Sequence, residues 1–166
     1  MKISPDEYRL DVVYGRMNEA LRAELIRYWL ANDALRDPVE ARRRTDEVVC
    51  VVRNTAGEII GVNSLYIQGF ERADNLYFFY RVFIRPDYRR RGLSFIVRRA
   101  LVAFFKANRQ LVPQVKGIMF VPESPIFSDE IMRRVLPPLG AVYLGKGPLG
   151  RDVWKLDFDW PASGEA

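Results

Sequence analysis

The sequence predicts an α+β domain with a mixed, largely antiparallel sheet flanked by helices, and three observations carry that reading. Two helical patterns stand before a run of three consecutive strand patterns. A long helix and a buried strand follow the run, and the last two strand patterns adjoin each other near the end of the chain. Strands that follow one another without a helix between them pair antiparallel more readily than parallel. The predicted order is β-α-α-β-β-β-α-β-α-β-β.

Each element has its own signal. Leu10–Tyr14 is a short β-branched and apolar stretch. Leu21, Leu25, Tyr28 and Trp29 then recur at helical spacing on one face. Asp37-Pro38-Val39-Glu40 opens a second helix, with Asp37 as cap, Pro38 at the first helical position and Glu40 placed to reach back to the cap. Val48–Arg53 and Ile59–Gln68 flank the turn residues Asn54-Thr55-Ala56-Gly57 and read as a hairpin. Asn75–Ile84 is a third strand, nearly all apolar and aromatic, ended by Pro86. Ser94–Asn108 is a helix with Val97, Leu101, Phe104 and Phe105 on one face. Val115–Val121 is a buried strand, and Ser128–Leu136 a short helix stopped by Pro137-Pro138 and Gly140. Ala141–Leu144 and Val153–Phe158 close the sheet. Residues 1–160 read as one domain and 161–166 as a short polar tail.

Composition excludes several chemistries. The chain has 166 residues, no histidine and one cysteine, Cys50. Ser-His and Cys-His nucleophilic systems are therefore absent, and one cysteine with no histidine builds no zinc cluster. No metal is expected. The lack of a long apolar run and of an apolar centre in Met1–Arg9, with a single cysteine, leads to the expectation of a soluble cytoplasmic protein without a membrane partner. The net charge of +5 suits a phosphorylated ligand, an anionic surface or nucleic acid, and does not choose among them.

The chemistry concentrates in Val82-Phe83-Ile84-Arg85-Pro86-Asp87-Tyr88-Arg89-Arg90-Arg91-Gly92-Leu93-Ser94. A buried strand runs into a basic, glycine-containing turn, and the turn opens a helix. The first N–H groups of that helix have no internal partner and sit at the positive end of its dipole. Gly92 lets a ligand approach the backbone, and Arg89, Arg90 and Arg91 surround the opening. A pyrophosphate fits such a site, at about 1.5–3 kcal/mol for each charge-assisted hydrogen bond. Neither the P-loop pattern nor the dinucleotide-binding fingerprint is present.

This stretch resembles the acetyl-coenzyme A motif of the GNAT N-acetyltransferase superfamily: a strand ending V-x-V/I-x-P-x-Y-R, then Q/R-x-x-G-x-G/A and a helix. Arg89, Gly92 and Ser94 stand at the Q/R, first glycine and last small positions, with Ser94 replacing Gly or Ala. The resemblance runs from about Leu10 to Phe158. It implies acetyl-CoA, or another acyl-CoA, as co-substrate. It implies that backbone amides of Val82, Phe83 and Ile84 meet the acyl carbonyl and pantetheine arm, and that amides of Arg91, Gly92, Leu93 and Ser94 cradle the pyrophosphate. The arm would enter a splay between the Asn75–Ile84 and Val115–Val121 strands.

Two positions depart from the family pattern. The glutamate base that many members carry four residues before the position of Val82 is Phe78 here, and the tyrosine acid of a Y-x-x-L-G-F pattern is Leu136. Deprotonating a lysine-like amine at pH 7 costs about 4.6 kcal/mol, an α-amino group only about 1 kcal/mol. The pattern thus points to an acceptor that is already largely neutral, or to a base placed elsewhere. Tyr80, on the same alternation as Phe78 and Val82, is one replacement candidate, against an ordinary core role. Ser124, just after the Val115–Val121 strand, is another, against a turn serine. Glu123 reads as solvated, and Tyr143 either swings in from the closing strand or, in preference, packs. Arg81 needs a partner inside so apolar a strand: it clamps an acidic substrate, pairs internally or reaches the sheet edge. Arg42, Arg43 and Arg44 form a solvated helix end. The stripe Tyr77, Phe78, Phe79 and Phe83 reads as core packing in preference to an acyl pocket.

The leading expectation is transfer of an acyl group, acetyl first, from coenzyme A to a primary amine of a small molecule or peptide, by direct attack on the thioester. The alternatives are a non-catalytic acyl-coenzyme A binding module and, behind it, a basic RNA-binding domain without an accompanying nucleic-acid signature. A homodimer is compatible with the sequence.

Overall fold

The structure is a computed structural model and describes residues 1–122, 129–147 and 150–159. The element order is the expected one. Seven strands form one sheet in the order β1-β2-β3-β4-β5-β7-β6. They are β1 (Tyr8–Val12), β2 (Val48–Asn54), β3 (Ile59–Gly69), β4 (Leu76–Ile84), β5 (Gly117–Phe120), β6 (Val142–Lys146) and β7 (Asp152–Asp157). The helices are α1 (Glu19–Ala31), α2 (Pro38–Arg44), α3 (Leu93–Ala107) and α4 (Asp129–Val135). β1–β2, β2–β3, β5–β7 and β6–β7 are antiparallel, and β4–β5 is parallel. The chain forms two compact units: Met1–Leu65 with Arg81–Leu101, and Tyr66–Tyr80 with the chain from Val102 onward.

In the first unit, β1 starts two residues earlier than its apolar pattern. Ser4 and Glu7 form a capping box around a 3-10 turn, and the chain leaves that turn extended at Tyr8. Asn18 caps α1 by accepting from Leu21 N at 2.8 Å. Leu25, Tyr28 and Trp29 on the inner face of α1 are buried with Ala41 of α2 and with Val48, Val51, Ile59 and Val62 of the hairpin. Each of the larger side chains among them contributes about 1.5–3 kcal/mol by leaving water. Asp37 caps α2 through Val39 N at 2.9 Å. Glu40 does not reach back to that cap. It binds Arg43 Nη2 at 2.8 Å and Arg44 Nε at 2.7 Å. Charge-assisted bonds from two arginines at helical spacing outcompete one neutral amide, and they hold the Glu40 carboxyl down at about 2.

The β2–β3 hairpin turns where Asn54 Oδ1 accepts from Ala56 N at 3.0 Å and Glu58 N at 2.9 Å. Gly61 of β3 has no room for a side chain: a Cβ there would lie 2.8 Å from Ile84 Cδ1. The absence of a side chain lets the end of β4 settle against β3.

In the second unit, Phe78 packs on Phe105 and Phe158 at centroid distances of 4.9 and 6.4 Å. Tyr66 stacks on Phe79. The parallel β4–β5 register is Phe78 with Ile118 and Phe79 with Met119. β5 is shorter than its apolar run. Asp152 of β7 is fully buried and accepts from Lys146 Nζ at 2.6 Å, Tyr143 OH at 3.0 Å and Arg133 Nε at 3.1 Å. Those bonds hold its carboxyl below the ordinary value, Lys146 first among the causes. The tail 161–166 lies outside the described residues. Among the described residues, no helix is long and apolar enough to cross a membrane.

Candidate cofactor and acyl-transfer site

The turn from Arg85 to Gly92 is shaped by the protein before any ligand arrives. Pro86–Tyr88 makes one 3-10 turn, and Arg90 and Gly92 both take positive φ, 61° and 86°. Gly92 carries that conformation without penalty, and a Cβ built on it would meet nothing within 4 Å. The space over the head of α3 is therefore open. Gly92 O accepts from Phe95 N and Ile96 N. Among the described residues no backbone carbonyl accepts from the N–H groups of Arg91, Gly92, Leu93 or Ser94. Four consecutive donors at the positive end of a 15-residue helix make an anion cradle.

The arginines divide their work. Arg89 Nε donates to Ile84 O at 3.0 Å, and its guanidinium lies over the Phe83 ring. Arg91 Nη2 binds Glu7 Oε1 at 2.8 Å, and Ile3 N donates to Arg91 O at 2.9 Å. Arg85 is held by Asp87 and Glu58. Arg90 is exposed and makes no side-chain bond among the described residues. Of the three arginines expected around the opening, Arg89 and Arg91 brace the turn with their side chains, and the Arg90 side chain stands exposed beside it.

The end of β4 leads into this turn. Arg81, Val82 and Phe83 are only half-buried although β4 stands fourth of seven strands. Their carbonyls are taken by side chains. Asn63 Nδ2 donates to Arg81 O at 2.9 Å, and Tyr28 OH to Phe83 O at 3.3 Å. Burial raises the Tyr28 phenol well above its ordinary range, so it remains a proton donor. Asn63 itself is fully buried, and its Oδ1 has no hydrogen-bond partner among the described residues. An unpaired buried acceptor costs about 1–3 kcal/mol.

Phe78 and Leu136, at the two acid/base positions, are buried at 2% and 0% exposure. Tyr80 is half-buried, its ring 5.2 Å from that of Phe120. Ser124 and Glu123 lie outside the described residues. Arg81 has an internal partner: its Nη1 binds Glu47 Oε2 at 2.8 Å, and Glu47 Oε1 binds Arg43 at 2.6 Å. Tyr143 is exposed at 42%, donates to Asp152 and lies with its ring 5.2 Å from that of Trp154. Cys50 is buried, and its thiol is pushed up to about 12, so it is no nucleophile. Among the described residues, no three His, Cys, Asp or Glu side chains converge as metal ligands.

Sequence reasoning overlooked Asn63, Tyr28, Glu47 and the amino-terminal brace of Ile3 and Glu7. Asn63-Ser64 left a signal, two polar residues inside an otherwise apolar strand. Tyr28 was visible only as a core position, and Glu47 and Glu7 are joined to the site by distance in space alone.

The family model described as "Acetyltransferase (GNAT) family" matches residues 16–113, more than half of the chain. No curated protein matches the chain by sequence. Solved structures share the fold at low identity. The ribosomal-protein-S5-alanine acetyltransferase of Vibrio fischeri is 14% identical with a TM-score of 0.62, over 97% of this chain and 99% of that one. A GNAT-family acetyltransferase of Streptococcus pneumoniae is 12% identical with a TM-score of 0.58, over 90% and 96%. The enzyme AAC(6')-Ib, solved with ribostamycin and coenzyme A, is 20% identical with a TM-score of 0.57, over 90% and 92%. With the strand order, the strand-to-turn-to-helix motif and the matched family model in agreement, the chain belongs to the GNAT acetyltransferase family.

Proposed function

We propose that this protein transfers an acyl group, acetyl first, from coenzyme A to a primary amine of a small molecule or peptide. The observation that carries the proposal is the open cradle at the head of α3, where the N–H groups of Arg91, Gly92, Leu93 and Ser94 meet no backbone acceptor among the described residues. A pyrophosphate supplies the missing acceptors, with Arg90 at hand. Bound acetyl-CoA supplies an activated thioester. The backbone amides of β4 between Val82 and Ile84 stand next in the chain to polarise it.

The acceptor is an amine of low pKa, such as an α-amino group or an arylamine. The support is the burial of Phe78 and Leu136 among apolar neighbours, which leaves no carboxylate or phenol at either position. Deprotonation is then left to solvent. Tyr80 and Ser124 remain the candidates for a weak relay, and Arg81 for contact with an acidic acceptor. Its bond to Glu47 already meets part of its charge and weakens that role. The test is kcat/KM against pH for two acceptors of different pKa. The profile should follow each acceptor's own ionisation. Profiles that break at one common pH would show an enzyme group titrating, and Tyr80→Phe and Ser124→Ala would locate it.

The same two apolar residues favour a second reading, a module that binds acyl-CoA without turning it over. Thiol release with a panel of amines separates the two. Release with none of them, alongside retained cofactor binding, supports the module.

A further inference from the structure

We infer that Asn63 is a positioning residue for acyl transfer: it fixes the peptide between Arg81 and Val82 so that the Val82 N–H is presented to the thioester oxygen. This rests on the acyl-coenzyme A reading above and adds to it the residue that sets the oxyanion donor.

The geometry follows from peptide planarity. In a trans peptide the carbonyl of one residue and the N–H of the next point in opposite directions. Asn63 belongs to β3 and its Nδ2 donates to Arg81 O at 2.9 Å, which draws that carbonyl towards β3. The Val82 N–H therefore points away from β3. A neighbouring peptide shows the same rule at work. Arg85 N donates to Ile60 O of β3 at 2.9 Å, so Ile84 O points away from β3, and there Arg89 Nε meets it at 3.0 Å. Tyr28 OH on Phe83 O orients the peptide between these two. Three side chains from α1, β3 and the basic turn thus hold the carbonyls of Arg81, Phe83 and Ile84 along the end of β4.

Asn63 is the informative member. It is fully buried and leaves Oδ1 unpaired among the described residues. Its second donor contact, to Ser64 O at 3.3 Å, is long. An apolar side chain would suit so dry a position better for packing alone. What only the amide supplies is a donor to Arg81 O. A purely structural role is satisfied by any arrangement that pairs this carbonyl. A positioning role needs the carbonyl on the β3 side, because that choice sends the next N–H the other way.

The test uses the full chain with [1-13C]acetyl-coenzyme A and reads the thioester carbonyl stretch by isotope-edited infrared spectroscopy. Binding to the wild type should lower the carbonyl frequency from its value in water. Asn63→Leu and Asn63→Asp both remove the donor, one without polarity and one with it. Each should return the band towards the value of a carbonyl without a directed donor, while the dissociation constant of coenzyme A stays near that of the wild type. The kcat for a neutral amine should fall by about 10–100-fold, less than the 10²–10³ lost when an oxyanion donor is removed outright, and the acceptor KM should be unchanged. An unshifted band in either folded variant overturns the inference. So does a parallel loss of coenzyme A affinity, or failure of both variants to fold, since Asn63 is then structural. A wild type that binds no acetyl-CoA overturns the acyl-coenzyme A reading itself, which separates that failure from this one.

Discussion

Gly92 offers the sharpest quantitative test of the cradle, because two substitutions there separate backbone strain from occupancy. Its φ of 86° is left-handed, and a Cβ would meet nothing within 4 Å. Gly92→Ala therefore adds strain without a clash, about 1–2 kcal/mol. For a chain of this size that lowers Tm by about 2–8 °C. Gly92→Glu adds the same strain and places a carboxylate beside the four amides of Arg91–Ser94. In the wild type, acetyl-CoA at a hundred times its dissociation constant stabilises the fold by about 2.7 kcal/mol. At about 2–4 °C per kcal/mol for a chain of this size, that is a rise of about 5–11 °C. Differential scanning fluorimetry with and without cofactor should show a reduced baseline Tm in both variants, a surviving rise in the alanine variant and none in the glutamate variant. A full rise in Gly92→Glu would refute the cradle. No rise in the wild type at millimolar cofactor would refute the cofactor reading.

Two further outcomes are expected. The Arg81–Glu47 pair has side chains 21% and 16% exposed, so a double-mutant cycle with Arg81→Met and Glu47→Gln should give a coupling of about 1–2 kcal/mol in urea unfolding, between the exposed and buried limits. Zero coupling with a raised KM for carboxylate-bearing acceptors would instead show Arg81 serving substrate. Asp152 is held below its ordinary value near 3.8 by Lys146, then Tyr143 and Arg133. A depressed carboxyl contributes stability that is present above its unfolded pKa and lost as pH falls through its folded one. Asp152→Asn should therefore lower stability at neutral pH and flatten the acid limb below about pH 4, and an unchanged acid limb would show that the cluster is not coupled to folding.

The element order was legible because its punctuation is local. Asn54-Thr55-Ala56-Gly57 turns the chain by its own hydrogen bonds, Asp37-Pro38 starts a helix, and Gly140 takes φ of 94° after the prolines. The turn between β4 and α3 was legible for the same reason, since its donors are those of any helix start and its glycine is in the motif. Competition was not legible. Glu40 had two plausible calls on its carboxylate, and only the rotamers of Arg43 and Arg44 decide between them. Partners distant in sequence were not legible either. Glu47 lies 34 residues from Arg81, and Tyr28 lies 55 from Phe83. Nothing in periodicity links such pairs. Asn63 stood in plain view, but its meaning depends on which carbonyl of β4 lies beside it.

Arg91 is fastened from the far end of the chain, by Glu7, 84 residues away, on its guanidinium and by Ile3 on its carbonyl, with Ile3 only 6% exposed. The opening segment is thus a latch on the turn that precedes α3. Whatever is fused to, or trimmed from, the first few residues acts on the loop's freedom before ligand arrives. The entropy of closing the loop is then charged to binding instead of to folding. An amino-terminal tag is for that reason an intervention at the turn proposed to hold the pyrophosphate.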